Sequence, residues 1–73
     1  MLIEVSDPAL VEDLCGYLRR CSCSTRQRGP TMIDVAPPER ECGIEQAYLR
    51  MEVDAYLRVW RAMHPGVSAA LAA

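Results

Sequence analysis

The chain has 73 residues, a formal charge of −2 and a hydrophobic content of 51%. A chain of this length holds one domain at most, and its composition excludes intrinsic disorder, which requires low hydrophobicity and high net charge. The longest apolar run, Val67 to Ala73 interrupted by Ser68, is too short to span a bilayer.

The opening Met1-Leu2-Ile3-Glu4-Val5-Ser6-Asp7 has no positive n-region and no long apolar h-region. No secretory signal is read there, so a reducing cytoplasm is the expected setting. The four cysteines are then expected as thiols. All eight cations are Arg, and Lys, Asn and Phe are absent, a bias typical of GC-rich coding. A lone core in so short a chain supplies about 3–5 kcal/mol. A metal, disulfides or a partner chain is expected to add to it.

Met1 to Val5 alternates and predicts a short strand, with Ile3 and Val5 on one face and Leu2 and Glu4 on the other. Ser6-Asp7-Pro8 predicts a helix start, with Asp7 as cap and Pro8 in the first position. Leu10, Val11, Leu14, Cys15 and Leu18 recur at helical spacing, so the first helix is expected from Pro8 to Arg20. Arg19 and Arg20 suit its negative end. Gly16 within it costs up to about 1 kcal/mol, which a close helix contact would justify.

Cys21 to Arg28 alternates loosely, with Cys21, Cys23 and Thr25 on one face. Gly29-Pro30 breaks the chain, and Thr31 to Ala36 alternates again with Ile33 and Val35 inward, which predicts a hairpin. Pro37-Pro38 ends that strand and can open a helix, with Gly43 delaying regular helix to about Ile44. The helical pattern stops at His64-Pro65-Gly66. Asp54 lies four residues from both Arg50 and Arg58, which supports the helix. The expected domain covers 1–66, followed by a short Ala-rich tail, 67–73.

The predicted order is βαββα, a small α+β domain with a three-stranded sheet and two helices on one face. A strand, helix, strand unit crosses right-handed if its strands are parallel, and one economical solution places the third strand between the first and second. By topological analogy this is a ferredoxin-like sheet lacking its last strand, and fold alone does not assign a function.

The second helix is apolar on two sides. Ile44, Ala47, Tyr48, Met51, Ala55, Val59 and Ala62 form one stripe; Leu49, Val53, Tyr56, Leu57 and Trp60 form another. Such a helix is expected to be buried on more than one side. At about 1.5 Å per residue it spans a domain of this size, which cannot hide both stripes. A homo-oligomer, most simply a dimer, is therefore expected, with Leu49, Val53, Tyr56, Leu57 and Trp60 lining the contact. The competing reading is that the first helix covers this stripe within one chain.

Other constellations carry weaker chemistry. Cys15, Cys21, Cys23 and Cys42 with His64 are the only zinc candidates, yet Cys21-x-Cys23 is tighter than the usual ligand pair and has no second pair. No metal and no cofactor are expected, and the cysteines read as core thiols. His64, the only histidine, reads as a cation at a helix end rather than a general base. Glu4 and Asp34, with Arg26, are expected on the outer sheet face. They form either a ligand-binding or acid–base set, or a solvated face with cross-strand ion pairs. Arg19, Arg20, Arg26 and Arg28 fall within ten residues free of acids and form a candidate anion patch. The acidic pI of about 5.2 and the absence of Lys argue against nucleic acid as the partner.

The expected function is a non-enzymatic, self-associating module that binds a partner protein or small ligand, with no catalytic residue assigned. The alternatives are a small enzyme or metal-binding protein using Glu4, Asp34, His64 or the cysteines, and an anion- or nucleic-acid-binding module using the four arginines.

Overall fold

A computed structural model describes residues 1–36 and 46–72, with the backbone alone for Gln46 and Ala47. The expectations placed on Pro37-Pro38, Cys42, Gly43, Ile44 and the side chain of Ala47 lie outside the described residues. The elements are β1 (Leu2–Val5), α1 (Val11–Arg20), β2 (Ser24–Gln27), β3 (Met32–Ala36), α2 (Gln46–Met63) and β4 (Ala69–Leu71). A 3-10 turn, Pro8–Leu10, leads into α1, and Asp7 caps it by accepting from the Ala9 amide at 2.9 Å. The proline-led entry is therefore tighter than the continuous helix expected from Pro8.

The sheet is antiparallel with the order β2-β3-β1-β4. β3 lies between β1 and β2. The sheet has four strands rather than three, because the Ala-rich segment after the Gly66 turn returns along β1, pairing Ala69 with Val5, Ala70 with Glu4 and Leu71 with Ile3. Gly66 makes this return possible with a φ of +85°, a conformation open to glycine. β1 is consequently an inner strand, not the edge that a three-stranded sheet with β3 between β1 and β2 would make it; the edges are β2 and β4.

One face of the sheet is covered by both helices. Ile3, Val5, Ile33, Val35 and Ala69 point into a core closed by Val11, Leu14 and Leu18 of α1 and by Val53, Leu57 and Trp60 of α2. Each of these is at most 2% exposed. The alternation in β1 and β3 thus does what period-two patterning demands. The molecule measures 36 × 24 × 23 Å. α2, at 18 residues, is about 27 Å long and runs along most of it.

The C-terminus of α1 ends in a Schellman arrangement. Ser22 N–H donates to Arg19 O at 2.9 Å and Cys23 N–H to Leu18 O at 3.0 Å. The left-handed residue this requires is Ser22, at φ 67°, where glycine is usual. Its reward is the burial of Cys23 beside Leu18 in the core.

Candidate functional site

The two stripes of α2 have opposite fates. Val53, Leu57 and Trp60 are 0% exposed. Tyr56 packs against the same core and Leu49 is half-buried. The stripe expected at a contact between chains is therefore the one that the chain covers itself, using α1 and the sheet. Val53, Leu57 and Trp60 face α1 and the sheet in one core, while Met51 and Val59 face the other way.

The described part of that other stripe, extended by Met63, is left outside. Tyr48, Met51, Val59 and Met63 are 55%, 70%, 55% and 57% exposed, and Ala55 and Ala62 between them are exposed too. At about 100° per residue all six fall within roughly a third of the helix circumference. One flank is edged by the Asp54–Arg58 ion pair, Oδ2 to Nε 3.1 Å. The other is edged by Tyr56, whose hydroxyl donates to Glu52 Oε1 at 2.8 Å. That bond to a carboxylate, with burial and the Glu52 charge adding to it, pushes the Tyr56 phenol up to about 12.

A second polar cluster joins α1 to the end of α2. Trp60 Nε1–H donates to Asp13 Oδ2 at 2.9 Å, and His64 Nε2 lies 3.2 Å from the same oxygen. His64 Nδ1 faces the Trp60 carbonyl at 2.9 Å, and the two rings stack at 4.1 Å between centroids. Both imidazole nitrogens thus face oxygen atoms, one a carboxylate and one a backbone carbonyl. The cluster ties α1 to the C-terminal end of α2. Sequence reasoning gave His64 its place at a helix end and missed Asp13, which lies 47 positions from Trp60.

Glu4 and Asp34 lie on the open face of the sheet, since their neighbours in each strand are buried, and Arg26 shares that face as the register partner of Asp34. Asp34 and Arg26 are brought side by side, and Glu4 is set apart from Arg26. Asp34 stands opposite Leu2 and Arg26, whereas Glu4 stands opposite Met32. The Asp34 carboxylate pairs with the Met1 ammonium at 3.4 Å and with Arg28 at 3.6 Å, both partly exposed. Pairs of this kind contribute under about 1 kcal/mol each.

The four arginines are divided by the sheet. Arg19 reaches from α1 to the Thr25 hydroxyl, Nε to Oγ1 3.0 Å, on the helix side of β2. Arg26 and Arg28 belong with Asp34 on the opposite face. One continuous anion patch is not formed by them.

Cys15 and Cys23 are core residues at 5% exposure each, and Cys21 is half-buried. Burial, followed by the nearby Cys21 and Glu52, raises the Cys23 thiol above its ordinary value. Burial and Cys21 likewise raise the Tyr17 phenol. Among the described residues no three His, Cys, Asp or Glu side chains are grouped to hold a metal ion, and no helix is long and apolar enough to cross a membrane. No family model, curated protein or solved structure matches the chain.

Proposed function

We propose that the protein is a self-associating module and that the outer face of α2 docks against the same face of a second copy. The observation that carries this reading is the stripe Tyr48, Met51, Val59 and Met63, each more than half exposed on one helix face. At about 200 Å² per full large side chain, these four and the two alanines present on the order of 500 Å². With the polar flanks added, the surface approaches the roughly 800 Å² per partner of a standard interface.

Self-complementarity favours a second copy as occupant. In an antiparallel pair centred on Ala55, Met51 faces Val59 of the other copy and Tyr48 faces Ala62. The small residue at the crossing point permits close approach of the helices. Asp54 and Arg58, paired at 3.1 Å within one chain, then stand near Arg58 and Asp54 of the other, so the charged flank is also its own complement. The architecture that presents this helix is, on the same reading, a ferredoxin-like order completed by β4.

Light scattering on a sizing column with reductant present tests the reading. A mass near twice the 8.1 kDa of one chain is expected, and Val59→Glu is expected to return it to one chain with unchanged helix content. A wild-type protein that stays at 8.1 kDa up to about 100 μM rejects the reading.

A further inference from the structure

We infer that the free edge of β4, with the groove between it and α2, is a binding site for an extended peptide segment bearing acidic side chains. Such a segment would pair with β4 as a fifth strand.

The backbone of β4 shows which groups are available. Ser6 N–H donates to Ser68 O, Ala72 N–H donates to Leu2 O, and Ala70 stands opposite Glu4. Residues 68, 70 and 72 therefore turn their backbone groups toward β1. Ala69 and Leu71 turn theirs to the outside. Leu71 and Ile3 are thus a non-hydrogen-bonded pair of the ladder, and the Leu71 N–H points away from β1. The Ala69 carbonyl is covered by a side chain, accepting from Arg61 Nη1 at 2.8 Å. A bare edge invites strand addition, and here a removable cation covers one of its groups.

Beside the edge lies a groove of about 370 Å³ lined by Arg50, Met51, Asp54, Ala70 and Leu71. Its apolar surface comes from Leu71 and from Met51, which is 70% exposed. Its charge is unbalanced. Asp54 is already paired with Arg58, while Arg50 has no ion-pair partner among the described residues and Arg61 is spent on a carbonyl. A strand laid along β4 projects alternate side chains toward this flank of α2. Carboxylates at those positions meet Arg50 and Arg61, and the carboxylate that draws Arg61 away frees the Ala69 carbonyl for the incoming N–H. The opposite edge offers no such combination: β2 is Ser24-Thr25-Arg26-Gln27, with no helix groove of this kind described beside it.

The probe is a fluorescein-labelled peptide of alternating Glu and Val, followed by anisotropy and by amide hydrogen exchange at Leu71. Saturable binding is expected, with slowed exchange at Leu71, no binding of the matching Lys-Val peptide, and a loss of about tenfold or more in affinity for Arg61→Gln. Leu71→Pro removes the outward donor while sparing the β1 ladder, and is expected to abolish binding. If that variant does not fold, the exchange at Leu71 in the wild type decides alone. Absence of saturation at millimolar peptide overturns the inference. So does binding that leaves Leu71 exchange unchanged, equal binding of the Lys-Val peptide, or a Leu71 amide already protected in the free protein by a second copy. Repeating the titration on Val59→Glu separates this site from the α2 face: retained peptide binding in a single-chain species supports the edge whatever becomes of self-association, and loss of binding there assigns the peptide to the α2 face and overturns the inference.

Discussion

The indole Nε1–H of Trp60 donates to Asp13 Oδ2 at 2.9 Å, so the largest buried side chain of α2 is tied by its only polar atom to the first turn of α1. A buried indole needs such a partner. The same carboxylate oxygen holds His64 at 3.2 Å, so one residue of α1 fixes the last turn of the long helix and the residue that follows it.

Asp13→Ala is expected to leave the Trp60 N–H without an acceptor and to destabilise the fold by about 1–3 kcal/mol. Asp13→Asn, which keeps an acceptor oxygen for the indole, is expected to recover much of that loss. Chemical denaturation followed by Trp fluorescence measures both. Equal stability of Asp13→Ala and the wild type rules the clamp out.

Gly16 sits in the middle of α1, and a methyl built on it meets only Arg20 Nη1 at 3.8 Å. The close contact that would justify a glycine there is not present. Gly16→Ala is expected to stabilise by about 0.5–1 kcal/mol, raising Tm by about 2–8 °C. A lowered Tm in a calorimetric scan contradicts this.

Ser22 occupies the left-handed position after α1 at φ 67°. Ser22→Gly is expected to relieve about 1 kcal/mol of backbone strain, and Ser22→Ala to relieve none. The comparison of the two variants by urea unfolding is the check. A gain in both would point to something other than backbone conformation.

The Tyr56 phenol is raised from 10.0 to about 12, chiefly by its bond to Glu52. The fold therefore favours the protonated phenol over the phenolate. Its contribution to stability is complete below pH 10 and is lost as pH rises from there toward about 12. Stability measured across that window should fall less steeply in Tyr56→Phe than in the wild type. Identical slopes would mean that the Glu52 bond does not persist in solution.

Much of the fold was legible because the local signals agreed. Ile3/Val5 and Ile33/Val35 alternate, Asp7-Pro8 starts a helix, and His64-Pro65-Gly66 stops one. β4 was not legible, because Ala69-Ala70-Leu71 has weak strand preference and no alternation with polar residues; only its pairing with β1 makes it a strand. The two stripes of α2 were both visible, but hydrophobicity alone does not rank them. Tertiary placement ranks them: Val53, Leu57 and Trp60 face α1 and the sheet, whereas Tyr48, Met51 and Val59 face outward. Trp60→Glu is consequently a poor probe of self-association, since it breaks the core first. The Asp13–His64 contact had no sequence signal, because nothing local relates the first turn of α1 to the end of α2.

The pairing of β1 with β4 also sets the order in which the protein can be completed as it is made. β1 is synthesised well before its partner Ala69–Leu71, with two helices and two strands made in between. Until then one side of β1 has no strand beside it, although β3 can already pair with the other. At synthesis rates of about 5–20 residues per second, the nascent chain carries that open side for several seconds. A three-residue strand thus governs how long an inner apolar strand remains available to the wrong neighbour.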